Sequence, residues 1–303
     1  MARISVIIPT YNRSSLLTRA VESAWAAGSD VEVLIIDNAS TDNTPEICRK
    51  LKGIRYFRLS SNWGPAIARN VGIIQSASDY VAFLDDDDAR LPGSLDLQLE
   101  TLDANPNAGF SYGYSIVVDK ELNPMGEKYP TQTVLGDIFW TLLGRNFIPT
   151  SSVIVKKQCF AFAGVFDRRF SPAEDWDMWI RLAEQFEAVT VEEPVTIYRQ
   201  SNRKSSQFSS DQLVMLRAAA RAQARGLKLP KAMRRSIGDR EQLRRNFIHW
   251  ASNILVWEAG EAIVEGSIGR ALEIYRSAFS FNPIQAVRLY ALKHLASCYL
   301  KSS

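Results

Sequence analysis

Over its first two hundred residues the sequence alternates short apolar runs with segments of helical periodicity. The runs "RISVIIPT", "VEVLIID" and "YVAFL" are nearly continuous in apolarity, and the first is also rich in β-branched residues, as expected for strands that are covered on both faces. Between them, "SSLLTRAVESAWAA" has apolar residues at helical spacing, with Ser14 or Ser15 as the expected N-cap. This alternation predicts βαβ units, and therefore an α/β fold with a mostly parallel central sheet.

The charge balance changes in the last third of the chain. Residues 1–200 carry 19 Lys and Arg against 26 Asp and Glu, a net charge of −7, whereas residues 201–303 carry 17 against 7, a net charge of +10. Beyond Asp211 the apolar spacing is helical throughout, and the polar, Ser-rich stretch 201–211 before it is typical of a mobile loop. The shift predicts a boundary near residue 205, between an α/β domain (1–205) and a basic, all-α C-terminal region (206–303).

Composition and cysteine usage restrict the class of protein. The apolar fraction of 46% and the charged fraction of 23% are ordinary for a globular chain. Cys48, Cys159 and Cys298 are widely spaced and fit neither a disulfide framework nor a metal site, which favours a reducing, cytoplasmic compartment. No apolar run approaches the roughly 18 residues of a spanning helix, and no signal peptide is expected. Any membrane contact is therefore expected to be peripheral.

Polar side chains follow three of the predicted strands. They are "PTYN" (Pro9–Asn12), "DNASTD" (Asp37–Asp42) and "DDDD" (Asp85–Asp88). Because ligands of an open parallel sheet bind beyond the carboxyl ends of its strands, these groups should line one crevice, with Arg69 added from a helix. An anionic crevice repels phosphate, but Mg²⁺ and Mn²⁺ prefer hard oxygen ligands and are shared between carboxylates and substrate phosphates. The four consecutive acids Asp85–Asp88, here called the acidic tetrad, therefore predict a site for a divalent cation and a diphosphate.

Five stretches, in this order along the chain, resemble successive motifs of the inverting glycosyltransferases of family 2, which have the GT-A fold. The stretches are "VIIPTYNR", "VLIIDNASTD", "NWGPAIARNVG", "YVAFLDDDD" and "SPAEDWDMWIRLA". The resemblance covers about residues 1–200, and five motifs in order are far more specific than any one of them. It implies a Rossmann-like GT-A domain, a nucleoside-diphospho-sugar donor, Mn²⁺ or Mg²⁺ as cofactor, and transfer with inversion at the anomeric carbon.

On the donor side, the resemblance implies contacts for the residues that match its motifs. Thr10 and Tyr11 would border the nucleotide base, with Tyr11 stacking on it. Asp37 would accept a hydrogen bond from the base, typically uracil, and Arg69 would lie near the nucleotide. The second motif departs from the Asp-Asp-Gly-Ser of many relatives, because Asn38 follows Asp37. This departure weakens any role for an acid at position 38.

The resemblance also implies roles around the metal and the acceptor. Asp85 and Asp86 would reach the ribose or the water shell of the metal, and Asp87 would be the direct metal ligand. Asp175 would be the base that deprotonates the acceptor hydroxyl. The acceptor side would be shaped by Glu174, Trp176 and the stretch Asn146–Ser152. Many relatives carry a His after the closing "YR", where this chain has "QSN", so no His contribution to the metal is expected there.

Each of these features also has a simpler explanation. An isolated acidic run is usually a solvated loop, and "EDWD" could be acids that favour a helix N-terminus. Trp176 could simply be a core residue, and Arg69 could merely pair with an acid on a helix face. The segment "NRK" (202–204) could be a solvated loop or a diphosphate-facing lid. His249 and His294 are expected to be surface or core residues rather than ligands. The order of the five motifs favours the functional explanation for the acidic residues.

Three other functions compete with sugar transfer. A haloacid-dehalogenase-type phosphatase also places Asp-x-Asp at a strand end, but it requires Thr or Val two residues after the second Asp, where this chain has Ala89. A sugar nucleotidyltransferase requires a Gly-rich loop after its first strand, and "PTYNRSSL" contains no glycine. A non-catalytic nucleotide-sugar binding protein of the same fold remains as the alternative. Asp175 argues against it, since binding alone does not need a base.

The sequence does not specify the substrates or the role of the C-terminal helices. The family suggests a UDP-sugar donor and a lipid-linked glycan or surface polysaccharide acceptor, and no nucleic acid partner. The basic C-terminal region also carries Phe247, Trp250, Trp257 and Tyr290. Such a region could rest on anionic lipid at the inner face of a membrane, or it could pack on the α/β domain as a helical lid.

Overall fold

A computed structural model describes residues 2–200, 212–264 and 266–281 of the chain. The predicted boundary at 205, the stretch 201–211 with "NRK", and Tyr290, His294 and Cys298 lie outside the described residues. The strands are β1 (Ile4–Thr10), β2 (Val31–Asp37), β3 (Ile54–Arg58), β4 (Tyr80–Phe83), β5 (Ala89–Arg90), β6 (Ala108–Val118), β7 (Pro124–Tyr129), β8 (Ile154–Lys156) and β9 (Glu187–Arg199). The helices are α1 (Ser14–Ala26), α2 (Thr44–Lys50), α3 (Pro65–Gln75), α4 (Ser94–Ala104), α5 (Phe139–Gly144), α6 (Phe160–Ala163), α7 (Glu174–Gln185), α8 (Gln212–Gly226), α9 (Pro230–Met233), α10 (Ile237–Val264) and α11 (Ile268–Phe281).

The strands form one mixed sheet in the order β3–β2–β1–β4–β8–β6–β9–β5, with β7 paired to β6. The first four strands are mutually parallel, as the βαβ pattern predicts. Beyond β4 the sheet is mixed, because β8 runs antiparallel to both of its neighbours whereas β6 and β9 are parallel. One apolar cluster packs α1 and α4 on one face, and a second packs α3, α5 and α7 on the other. The predicted α/β fold with a helical C-terminal region is confirmed.

The register of the first strands sets the position of the polar motifs. Thr10 is paired with Asp37 at the ends of β1 and β2, and Phe83 at the end of β4 is paired with Ile7. The three polar motifs therefore emerge at one edge of the sheet. Helix α3 lies very close to β1, since a Cβ built on Gly72 would be 2.4 Å from Ile7 Cγ2. This close approach brings Arg69, one turn earlier on α3, to the same edge.

Two local predictions are wrong in detail. Helix α1 begins at Ser14 itself, and the Ser14 amide donates to Asp42 Oδ2 at 3.1 Å. A carboxylate from the loop after β2 therefore satisfies the helix end, in place of a serine N-cap. The stretch "AVTVEEPVTIYRQ", whose sequence predicts a closing pair of strands, is one continuous strand, β9. Its pairing with β6 shifts register beside Tyr114, opposite Pro194. The irregularity accommodates a proline that cannot donate to the ladder.

The C-terminal helices share the core of the α/β domain. Helices α8 and α10 contribute buried residues to the apolar cluster that also contains α5 and α7. The Phe247 ring of α10 lies 5.7 Å from the Trp176 ring of α7, and Arg225 of α8 bridges Asp167 and Asp177. Among the described helices, none combines the length and apolarity that crossing a bilayer requires. At least α8 and α10 therefore cover the α/β domain.

Candidate active site

The carboxyl ends of β1 and β4 open into a cleft of about 350 Å³. Its lining joins the strand ends to α3 and to the N-terminus of α7, and Met215 of α8 adds a side chain from the C-terminal region. Eight of the predicted site residues line this one cleft: Thr10, Tyr11, Arg69, Asp85, Asp86, Asp87, Glu174 and Asp175. The tertiary structure thus brings together residues of all five sequence motifs, the second of them through Asn38.

The middle of the acidic tetrad is held by a guanidinium. Arg13, in the loop after β1, lies 2.9 Å from Asp86 Oδ1 and 2.6 Å from Asp87 Oδ2. Thr10 Oγ1 donates to the other Asp86 oxygen at 2.7 Å. Burial and the charge of Asp87 nevertheless raise the pKa of Asp86 to about 7, and burial raises the pKa of Asp87 as well. One cation is therefore not enough to offset the adjacent carboxylates.

The last acid of the tetrad has a structural environment. Asp88 is buried, and its two oxygens accept from Ser151 Oγ at 2.5 Å and from the Arg199 amide at 2.9 Å. Burial, followed by the charges of Asp87 and Asp85, raises its pKa well above the ordinary range. Asp88 thus ties the acidic tetrad to the 3-10 helix Thr150–Ser152, which precedes β8, and to the end of β9.

Arg69 joins the tetrad to helix α7. The guanidinium is buried and donates to Asp85 Oδ1 at 2.7 Å and to Glu174 Oε1 at 3.0 Å, with the ring of Phe166 at 5.5 Å. Burial opposes its charge, but Asp85 and Glu174 outweigh this effect and raise its pKa. The second oxygen of Glu174 is buried and has no hydrogen-bond partner among the described residues. Arg69 is therefore needed to keep the buried Glu174 carboxylate compensated.

Asp175, in the first turn of α7, is held at the cleft by three donors. Its Oδ2 accepts from Asn146 Nδ2 at 3.2 Å and from Thr150 Oγ1 at 3.3 Å, and its Oδ1 accepts from the Trp176 amide at 2.6 Å. Burial, followed by the charge of Glu174, raises the pKa of Asp175 to about 6. The group is consequently ionised for the most part at neutral pH, yet far more basic than an ordinary aspartate.

A second cleft, of about 930 Å³, adjoins the first. It is lined by β7, by the segment after α5 and by the end of β9. Both clefts contain Asp85, Asp88, Thr150, Asp175 and Tyr198. Asp175 therefore stands at the junction of two spaces, each large enough to hold part of a substrate.

The acidic residues of the first cleft fit a divalent cation in their chemistry. Asp85 and Asp87 present hard carboxylate oxygens to the cleft, with side chains 34% and 16% exposed. A second cation would also relieve the mutual repulsion that, after burial, raises the pKa of Asp86, Asp87 and Asp88. No three Asp, Glu, His or Cys side chains of the described residues converge into a complete metal-binding group. Further ligands would have to come from a substrate or from water.

Two predicted residues lie away from both clefts. Asp37 is fully buried, and its oxygens accept from the Tyr56 hydroxyl at 2.6 Å and from the Ser40 amide at 2.7 Å. Its predicted bond to a base would require the residues that cover it to move, because the side chain is fully enclosed, and its neighbour Asn38 lines the cleft instead. Trp176 is buried, and its indole donates to the Leu142 carbonyl at 2.7 Å. In this structure its role is to pack α7 against α5 and α10.

The structure also adds residues that the motifs did not single out. Arg13, Tyr198 and Arg199 line the first cleft, and Tyr129 lines the second. Arg13 directly follows "PTYN", and the need for a cation beside four carboxylates is a signal that points to it. Tyr129 carries no such signal, because it reaches the cleft only through the pairing of β7 with β6.

The family assignment follows from sequence comparison. The sequence model described as "Glycosyl transferase family 2" matches residues 5–159. The chain belongs to this family. A protein of Rickettsia felis named "Uncharacterized glycosyltransferase" is 33% identical over 190 residues, which are 60% of this chain and 30% of the relative. A Campylobacter jejuni protein named "GalNAc(5)-diNAcBac-PP-undecaprenol beta-1,3-glucosyltransferase" is 35% identical over 131 residues, 41% of each chain. The match thus spans less than a third of the Rickettsia relative.

Solved structures show the same fold. TarS of S. aureus in complex with UDP-GlcNAc superimposes with a TM-score of 0.65 at 19% identity, over 96% of this chain and 83% of that one. The mannosyltransferase PcManGT of Pyrobaculum calidifontis, in complex with GDP-Man and Mn²⁺, gives a TM-score of 0.59 at 18% identity, over 97% and 87%. At these identities the likeness concerns the fold alone, and it confirms the predicted GT-A architecture.

Proposed function

We propose that this family 2 chain transfers a sugar from a nucleoside-diphosphate sugar, of the UDP class, to an acceptor hydroxyl with inversion of the anomeric centre. One observation carries the proposal beyond family membership. The two clefts meet at Asp175, whose pKa is raised to about 6 and whose carboxylate is held by Asn146 and Thr150. A non-catalytic binding protein has no need of a basic carboxylate between two substrate spaces.

The donor is assigned to the first cleft and the acceptor to the second. Thr10 and Tyr11 are then placed at the nucleotide base, and Arg69 behind Asp85 on the diphosphate side. The positions of the cationic side chains support this division. Arg13 and Arg69 lie among the carboxylates of the first cleft, where they favour the diphosphate of the donor. The lining of the second cleft has four carboxylates against one cation, Lys128, and its other residues are uncharged, which suits a neutral hydroxyl compound better than a phosphate.

The chemistry is a single displacement. Asp175 accepts the proton of the acceptor hydroxyl while that oxygen forms its bond to the anomeric carbon from the side of the second cleft. The bond between that carbon and the donor phosphate breaks at the same time, and the electron pair leaves with the nucleoside diphosphate. Attack from one cleft and departure into the other reverses the configuration. Asn146 and Thr150 keep the ionised carboxylate oriented toward the junction.

Asp87 is proposed as the direct ligand of Mg²⁺ or Mn²⁺, with Asp85 and Asp86 acting through water or the ribose. When bound, the cation supplies positive charge to the departing diphosphate. Arg13 bridges Asp86 and Asp87 in this structure, so its guanidinium keeps the two carboxylates close together. The tetrad loop is thereby positioned before the substrate arrives.

The test is an NMR assay with UDP-glucose, UDP-galactose, UDP-GlcNAc and GDP-mannose, each with Mn²⁺ or Mg²⁺ during the reaction and with simple glycosides as acceptors. We expect release of nucleoside diphosphate from a UDP-sugar and a product of inverted anomeric configuration. A retained configuration would contradict Asp175 as the single base. Nucleotide binding with no turnover of any donor would support the non-catalytic alternative.

We further propose that the acceptor is lipid-linked or part of a surface polysaccharide, and that the chain works at the inner, cytoplasmic face of a membrane. The name of the Campylobacter relative includes an undecaprenol-linked glycan. Around the start of α10, Met233 and Ile237 are exposed beside the exposed Arg234 and Arg235, a combination that suits anionic lipid. Flotation with anionic liposomes should carry the protein upward, and neutral liposomes should not. If the protein floats to the same extent with anionic and with neutral liposomes, the C-terminal helices only cover the α/β domain and do not bind anionic lipid.

A further inference from the structure

Two tyrosines expose their side chains inside the clefts. Tyr198, near the end of β9, lines both clefts and is 40% exposed, and Tyr129, at the end of β7, lines the second cleft and is 39% exposed. The Tyr198 side chain has neither a hydrogen bond nor a ring partner among the described residues. An exposed aromatic ring in a concave site, with no partner from the part of the chain that is described, is available to a ligand.

The position of these rings relates them to the proposed base. The Tyr129 hydroxyl donates to the Asn146 carbonyl at 3.1 Å, and the Asn146 side chain donates to Asp175 Oδ2 at 3.2 Å. Tyr198 and Asp175 both line the junction of the two clefts. A group that packs on Tyr198 therefore lies beside the carboxylate that would deprotonate it.

We propose that Tyr198 and Tyr129 form the acceptor subsite and bind a pyranose ring, so that the acceptor is the end of a glycan rather than an open-chain polyol or a lipid alcohol. The proposal rests on the proposed function and names the substrate class of its second cleft. The physical reason is complementarity. One face of a pyranose is a flat patch of C–H groups with slight positive charge, and the face of an aromatic ring is its negative pole. An open-chain polyol has no such flat face.

The rest of the second cleft supports a sugar as the occupant. Glu127, Thr131 and Gln200 line it and offer hydrogen-bonding groups to ring hydroxyls. Its volume of about 930 Å³ is in the upper part of the range of about 300–1,000 Å³ that ligand sites usually span. There is room for more than the one reacting sugar unit, so an oligosaccharide end fits better than a monosaccharide.

The experiment measures glycoside binding to the full chain in the presence of UDP and Mg²⁺ by saturation-transfer NMR. The probes are the methyl glycosides of β-glucose, β-galactose, α-mannose and N-acetyl-β-glucosamine, with ribitol and glycerol as polyols. At least one pyranoside should bind, with the strongest transfer to the C–H groups of one ring face, and the polyols should not. Binding of the polyols as tightly as the pyranosides, or no binding of any pyranoside, would overturn the proposal.

Variants separate stacking from folding. Tyr198→Ala should weaken pyranoside binding by at least roughly tenfold, whereas Tyr198→Phe, which keeps the ring, should stay within about twofold of the wild type. Phe162→Ala removes an exposed aromatic ring that lines neither cleft, so it should change nothing. Unchanged binding in Tyr198→Ala would refute the subsite.

The failure of this proposal and the failure of the transferase proposal give different results. Calorimetry of UDP and GDP with Mg²⁺ reports the first cleft, and glycoside binding reports the second. Nucleotide binding and donor turnover with no pyranoside bound would reject only the sugar subsite. Pyranoside binding without any nucleotide binding would reject the transferase and leave a carbohydrate-binding cleft.

Discussion

Replacement of Asp175 by Asn tests the proposed base with little change in shape. The Asn variant can keep the bond from the Trp176 amide, and its new NH₂ group can donate to the Thr150 hydroxyl. It loses the bond from Asn146, because two amide donors then face each other. General-base catalysis typically contributes ~10²–10⁴-fold, so kcat should fall at least about a hundredfold, which corresponds to roughly 2.7 kcal/mol of transition-state stabilisation.

The pH profile gives a second, independent measure of the same group. A base acts only when it is deprotonated, and the pKa of Asp175 is raised to about 6. The wild-type kcat/KM should therefore be level at neutral pH and fall by about tenfold for each pH unit below about 6. In Asp175→Asn this acidic limb should be absent, whereas nucleotide affinity, measured by calorimetry, should stay within about threefold of the wild type.

The matched control is Asp177→Asn, two residues along the same helix. Asp177 is buried and paired with Arg181 at 2.8 Å and with Arg225 at 3.1 Å. Its replacement should lower the unfolding temperature and leave the acidic limb of the pH profile in place. Full turnover by Asp175→Asn, with the acidic limb retained, would refute the assignment and direct attention to Glu174. Loss of both turnover and nucleotide binding would show a structural role.

Three further predictions concern the metal, the buried ion pair and the helix contact. Asp87→Asn should remove the Mn²⁺-dependent part of UDP binding in calorimetry, and an unchanged metal dependence would contradict Asp87 as the ligand. Arg69→Met leaves a buried carboxylate of α7 without its cation and should lower the free energy of unfolding by about 3–5 kcal/mol in urea melts, whereas Arg49→Met, at an exposed ion pair, should change it little. Gly72→Ala places a Cβ 2.4 Å from a buried isoleucine of β1 and should cost about 1–3 kcal/mol. Gly269→Ala, in open space on α11, should not destabilise, and equal losses in both glycine variants would argue against the close contact of α3 with β1.

The sequence by itself determined the parallel half of the sheet. Strands β1 to β4 and helices α1 to α3 are each defined by local periodicity, and a βαβ connection leaves little choice of handedness or neighbour. The carboxyl ends of these strands then have to meet at one edge. For that reason the association of Thr10, Asp85 and Asp87 with one cleft follows from the order of the elements along the chain.

The mixed half of the sheet was not determined in this way. Strand β6 pairs with β8 and β9, which follow it by more than thirty residues and run in opposite directions. Two of its glycines are explained only by residues distant in sequence, since a Cβ on Gly109 would lie 2.5 Å from Phe186, directly before β9, and one on Gly113 would lie 2.8 Å from Val195 of β9. Local periodicity does not identify strand partners that are distant in sequence, and it predicts neither β6 nor β7.

Only the tertiary structure decided which groups face each other across the site. Arg69 and Glu174 are 105 residues apart, and Arg13 and Asp86 are 73 apart, yet both pairs are in contact. The same packing turned Trp176 into the core and left Asp175, its neighbour on α7, at the junction of the two clefts. Adjacent residues on a helix point about 100° apart, so a motif specifies the residue types, and the docking of the helix selects the side chain that meets the substrate.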